Sequence, residues 1–162
     1  MVARAMLTMG ENLVTVDITN LRRVNEVNTT IVLTDGTQMV VHPKDVTVYD
    51  ANSLPAKEME AAMNPTYLPF TGVEVEDSKL DRVLIHKGSK QAVVNMTDYQ
   101  FRDGSYYMIT LEDGMPMTVH PQDVKLFDSK SKIMQQYQEA FVSKKRIRQD
   151  NNADIDEFIF GL

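Results

Sequence analysis

Two histidines stand in near-identical surroundings, His42 in "VVHPKDVTVYD" (residues 40–50) and His120 in "TVHPQDVKLFD" (residues 118–128). Imidazole is the commonest protein metal ligand and titrates near neutral pH, so this pair is the first place to look for chemistry. A shared zinc would want three or four ligands, and His86 is the only other histidine in a chain without cysteine. The lack of cysteine also removes thiol catalysis and disulfide staples, and it suits a reducing compartment. No glycine-rich phosphate loop, metalloprotease helix motif or nucleophile elbow occurs, so catalysis would rest on scattered carboxylates. The pair therefore reads as structural, each ring capping a turn or packing at a sheet edge. No catalytic residue, metal or other cofactor is expected, and no small-molecule substrate.

Cations and aromatics are the other candidates. The chain has a formal net charge of −6 over 162 residues, but the charge is uneven. By segment it is −2 over residues 1–53, −4 over 54–78, zero over 79–131, +4 over 132–148 and −4 over 149–162. The basic features to weigh, among 17 lysines and arginines, are Arg22 and Arg23, then Arg82, Lys87 and Lys90, then Arg102 in "YQFRDGSYY", and finally Lys144, Lys145, Arg146 and Arg148 in "KKRIR". Cations at a helix end also offset the helix dipole, so "KKRIR" has two readings, a solvated helix end or a set of phosphate contacts. Tyr99, Phe101, Tyr106 and Tyr107 lie beside Arg102, which suits a stacking surface for bases or a partner. A methyl-lysine cage is not expected, because residues 1–53 hold a single aromatic, Tyr49. The end "DEFIFGL" places Phe158, Ile159, Phe160 and Leu162 behind acidic residues. Such a segment either docks in a partner's groove or folds back onto the protein.

The elements that must position these residues are written twice. Offset by 78, residues 1–53 align with 79–131 without a gap, and 16 of the 53 positions are identical, 12 of them in the last 23. A unit this long, present twice, implies two modules rather than a solenoid. Each copy reads as five short strands: "RAMLTM" or "RVLIHK" to a glycine turn, then "LVTVDIT" or "AVVNMT". Next comes a hairpin at Asp35-Gly36 or Asp113-Gly114. His-Pro-x-Asp-Val then predicts one helical turn, with proline where its missing N–H costs nothing and the aspartate favoured near the turn's start. A final strand, "TVYD" or "KLFD", closes the unit. The fold class expected is mainly β with accessory helices, a tandem of two small SH3-like barrels, each followed by a helix.

The boundaries follow: a first barrel over 1–53, a helix and linker over 54–78, a second barrel over 79–131, a basic helix over 132–148 and an acidic-hydrophobic tail over 149–162. Helices are predicted for residues 53–63 and 129–148, the second with Ile133, Met134, Tyr137, Phe141 and Val142 on one stripe. Tyr67, Leu68 and Phe70 of the linker are expected to pack across the module boundary. No stretch has the length and apolarity of a signal peptide or membrane span, so a cytoplasmic protein without a membrane partner is expected.

The turn Gly10–Val16, "GENLVTV", with a strand before it and a barrel after, resembles the KOW/Tudor group of SH3-like modules found in transcription elongation factors and ribosomal proteins. Two such modules with a charged C-terminus resemble the MotB-type modifier-of-transcription proteins of T-even phages. That resemblance implies an early phage protein that binds double-stranded DNA with little sequence preference and alters host transcription or nucleoid state, without catalytic residues. Arg82, Lys87, Lys90, Arg102, Lys144, Lys145, Arg146 and Arg148 are the expected DNA contacts. The acidic balance of the first copy and linker departs from a simple DNA binder. An adaptor that docks RNA polymerase or a replication clamp through barrel edges and Phe158, Ile159, Phe160 and Leu162 is the alternative.

Overall fold

The computed structural model describes residues 3–142. The first repeat runs β1 (Ala3–Met9), β2 (Asn12–Arg23), β3 (Thr29–Leu33), β4 (Gln38–Val41), a 3-10 turn (Pro43–Asp45), β5 (Val46–Asp50) and α1 (Leu54–Met63). A short β6 (Thr66–Leu68) follows. The second repeat runs β7 (Arg82–Lys87), β8 (Lys90–Arg102), β9 (Tyr106–Leu111), β10 (Pro116–Val119), a 3-10 turn (Pro121–Asp123), β11 (Val124–Phe127) and α2 (Lys132–Phe141). The described residues are mainly β with two helices, as the sequence indicates.

Within each repeat the strands form an antiparallel meander whose last strand returns beside the first, β5 on β1 and β11 on β7. The long second strand serves two neighbours. Through Asp17, β2 pairs with β1; from Ile18 it pairs with β3, and the register shifts between Ile18 and Asn20. The extra residue is Thr19, whose hydroxyl donates to the Val32 carbonyl at 3.3 Å. β8 bends at the same place, with Thr97 donating to the Thr110 carbonyl at 3.4 Å. A bulge bends a strand and strengthens its twist. The identity of Thr19 and Thr97 across the repeat thus has a physical reason: each hydroxyl occupies a carbonyl where the ladder is interrupted.

The two meanders join edge to edge. β11 pairs antiparallel with β4, Leu126 opposite Val40 and Phe127 opposite Met39, so the order is β10-β9-β8-β7-β11-β4-β3-β2-β1-β5. The result is an open antiparallel sheet, with β6 added parallel to β2.

Both helices begin at a serine that caps them. Ser53 Oγ accepts from the Ala56 N–H at 3.2 Å and Ser131 Oγ from the Met134 N–H at 3.1 Å. The repeat thus extends through the helices, which occupy equivalent positions at the same offset. Their packing differs. α1 buries only Ala56, whereas α2 buries Ile133, Met134 and Tyr137. Those three side chains join the core of the first repeat, with Leu7, Val16, Ile31, Met39, Leu84 and Phe127, while the second repeat keeps a separate core around Ile109 and Leu126.

The linker contributes β6, and its Leu68 joins the core that Leu84, Phe127 and α2 of the second repeat also enter, across the boundary as expected. Tyr67 and Phe70 stay exposed, and Tyr67 turns back to the first repeat, its hydroxyl donating to Asp17 at 2.5 Å. An aromatic with a polar end can finish on a charged strand face rather than across a boundary. The described part of the basic helix is Lys132–Phe141; Lys144, Lys145, Arg146, Arg148, Phe158, Ile159, Phe160 and Leu162 lie outside the described residues.

Candidate nucleic-acid interface

Arg4 and Arg82 occupy the same position in the two repeats and reach the same two partner positions. Arg4 Nε donates to Asp17 at 2.9 Å and its Nη1 to Glu60 at 3.2 Å. Arg82 Nε donates to Asn95 at 2.8 Å and its Nη1 to Gln138 at 3.4 Å. The geometry is preserved while the charge is not. One cation faces two carboxylates in the first repeat; in the second it faces two neutral amides. The first cluster is further tied down by Tyr49, which donates to Glu60 at 2.5 Å, and by Tyr67, whose ring lies 4.5 Å under the Arg4 guanidinium. The bond from Tyr49, with Arg4 beside it, holds Glu60 below the usual carboxylate range. Sequence reasoning singled out Arg82 and missed this framework. The offset that pairs Glu60 with Gln138 and Asp17 with Asn95 was the available signal.

The other described cations are only partly gathered. Lys87 and Lys90 are opposite each other at the β7–β8 turn. Arg82 begins β7, five residues away and so roughly 17 Å along the strand. Arg102 ends β8 and folds onto its neighbour, donating twice to Gln100 Oε1 at 3.0 and 2.6 Å. Of the aromatics expected to form a stacking surface with Arg102, Tyr106 stands opposite it in the β8–β9 register and is half-buried, while Tyr107 leaves for the core. Tyr107 is buried, its ring 5.2 Å from Phe101 and 6.4 Å from Tyr99, and its hydroxyl donates to Asn28 of the first repeat. Only Tyr99 of that group is exposed, beside a half-buried Phe101.

The histidines diverge despite their shared sequence. His42 is buried and its Nδ1 accepts from the Lys44 N–H at 3.1 Å, capping the first 3-10 turn. His120 is exposed and makes no such cap. The least expected charge is Lys125, fully buried in β11. Its Nζ lies 3.2 Å from Asp45 Oδ2 of the first repeat and 3.2 Å from His86 Nε2. Burial lowers the Lys125 pKa, and Asp45 opposes that shift. Burial, then the Lys125 charge, lowers that of His86, which fits an unprotonated Nε2 accepting from the ammonium. Thr47 is the exposed counterpart of Lys125, so nothing in the repeat foretold a buried lysine.

Among the described residues no three His, Asp or Glu side chains are grouped so as to hold a metal ion, and no helix is long and apolar enough to cross a membrane. The arrangement around Arg82 supplies positive charge held in place by hydrogen bonds. The chain matches no protein-family model and no curated protein.

Proposed function

We propose that the chain is a noncatalytic protein that binds double-stranded DNA with little sequence preference and modulates host transcription or nucleoid state in the cytoplasm of a phage-infected cell. On this reading it is a MotB-type protein of two KOW/Tudor-like SH3 barrels. The strand order 5-1-2-3-4 in each repeat, with a 3-10 turn before the last strand, supports the barrel reading.

The observation that carries the DNA reading is Arg82, held by the neutral Asn95 and Gln138 and without a carboxylate partner among the described residues, where Arg4 is paired with Asp17 and Glu60. Gln138 belongs to α2, so the chain that continues into Lys144, Lys145, Arg146 and Arg148 leaves from the helix that touches Arg82. Lys87 and Lys90 add charge at the β7–β8 turn, at the far end of β7 from Arg82. Phosphate contacts of this kind give affinity without base reading.

The test is the salt dependence of duplex affinity. Each phosphate contact contributes about −0.9 to the slope of log affinity against log salt. Replacing the four cations of "KKRIR" by alanine flattens that slope by up to about 3.6 and weakens binding to unrelated sequences alike. An unchanged slope removes this segment from the interface. No duplex binding at low salt leaves the adaptor reading, docking on RNA polymerase or a replication clamp, which the two sheet edges without a strand partner among the described residues favour.

A further inference from the structure

The contact that joins the two repeats is reproducible between molecules. Inside the chain, β11 of the second repeat lies on the outer edge of β4 of the first. At the offset of 78, β10 is the counterpart of β4 and β5 the counterpart of β11. These two strands end the sheet, and among the described residues neither outer edge has a strand partner. Each molecule therefore presents one edge of each kind. Where the internal contact pairs Leu126 with Val40 and Phe127 with Met39, an equivalent contact between copies pairs Val48 with Thr118 and Tyr49 with Met117. Unpaired edge strands are templates for pairing with another chain.

Burial points the same way. Leu126 is 1% exposed in its internal contact, while its counterpart Val48 is 43% exposed on β5. The second core is also less covered than the first. Leu111, Met117 and Val119 retain 8, 9 and 6% exposure, against 1, 0 and 1% for Leu33, Met39 and Val41 beneath α2. The helix that would cover the second core in the same way is α1 of another copy. On α1, Pro55 and Met59 stand at the positions of the buried Ile133 and Tyr137, and they are exposed and half-buried. Val48, Pro55 and Met59 are the apolar exposure such a contact would remove.

We infer that copies of this chain associate head to tail, β5 of one on the β10 edge of the next, with α1 of the first over the second core of its neighbour. The pairing joins non-equivalent surfaces, so it is heterologous and grows into a ring or an open filament instead of a twofold dimer. The proposal does not depend on DNA binding.

Sedimentation of the full chain without DNA, over a wide range of concentrations, tests it. Val48→Lys blocks the β5 edge and Thr118→Lys the β10 edge, each at an exposed position; circular dichroism verifies their folding, and Val48→Glu is a second block of β5. The wild-type protein is expected to grow beyond a dimer as concentration rises. Each variant alone remains monomeric, its association weakened at least about tenfold by a charge facing the buried pair. An equimolar mixture of the two forms a one-to-one dimer and stops there, because one intact β5 and one intact β10 remain. A wild-type protein that stays monomeric at every concentration overturns the inference, as does a mixture that stays monomeric. A dimer persisting in Thr118→Lys alone indicates twofold β5 pairing, and one persisting in Val48→Lys alone twofold β10 pairing; either also overturns it.

Discussion

The Asp-Gly hairpin occurs twice with the same backbone, Gly36 and Gly114 both at a φ of +87° and each donating to the leucine carbonyl three residues back. Around the first turn everything is enclosed. Asp35 is fully buried; its carboxylate accepts from Thr37 N–H at 3.0 Å, Ser131 Oγ at 2.8 Å and Ile133 N–H at 3.2 Å, which ties the turn to the start of α2. The linker crosses above, so a Cβ on Gly36 would stand 2.5 Å from the Val75 carbonyl oxygen. Around the second turn Asp113 is exposed and accepts from Met115 N–H at 3.0 Å, and a Cβ on Gly114 meets nothing. Two turns with one local code thus have different roles. The first anchors a helix from the other repeat, and the second is a hairpin tip.

If that asymmetry governs stability, the largest effect belongs to the helix the first turn anchors. Tyr137→Ala empties a buried aromatic site in the first core and is expected to cost about 3–5 kcal/mol in urea unfolding. Met59→Ala at the equivalent, half-exposed position of α1 is expected to cost about 1 kcal/mol or less. Similar losses from the two would mean that α1 shares the load. Next comes the turn itself. Asp35→Ala strands buried donors, at about 1–3 kcal/mol for each donor left without a partner, while Asp113→Ala stays within about 0.5 kcal/mol.

A smaller contrast is read in pH. His86 is half-buried beside Lys125 and has its pKa lowered from 6.5, so below that value the unfolded chain takes up a proton before the folded one does. Stability is therefore present above pH 6.5 and falls as pH drops from there through the folded value. His86→Gln should flatten that part of the profile measured by thermal unfolding; an unaltered profile would assign the fall to other groups, His42 first, since burial lowers its pKa too. Its counterpart in the first repeat, Thr8, does not titrate. The smallest contrast concerns DNA. Arg82→Gln should change the salt slope of duplex binding by up to about 0.9, and Arg4→Gln should leave it unaltered. Equal changes would end the argument from the amide-for-carboxylate exchange.

The repeat, the two hairpins, the single helical turns and both helix starts could all be read from the chain, because each depends on residues within a few positions of one another. Asp-Gly supplies the positive φ, proline opens the turns, and serine caps the helices. The cations Arg82, Lys87 and Lys90 could be named for the same reason, as could the apolar stripe of Ile133, Met134 and Tyr137. The destination of that stripe could not. Periodicity reports that a face will be buried and carries no information about which core receives it. Only the tertiary structure seats α2 in the first repeat's core, places β11 on β4, buries Lys125 against Asp45 and leaves Val48 exposed where Leu126 is covered. These outcomes depend on contacts between residues far apart in the chain, and such contacts leave no local pattern to read.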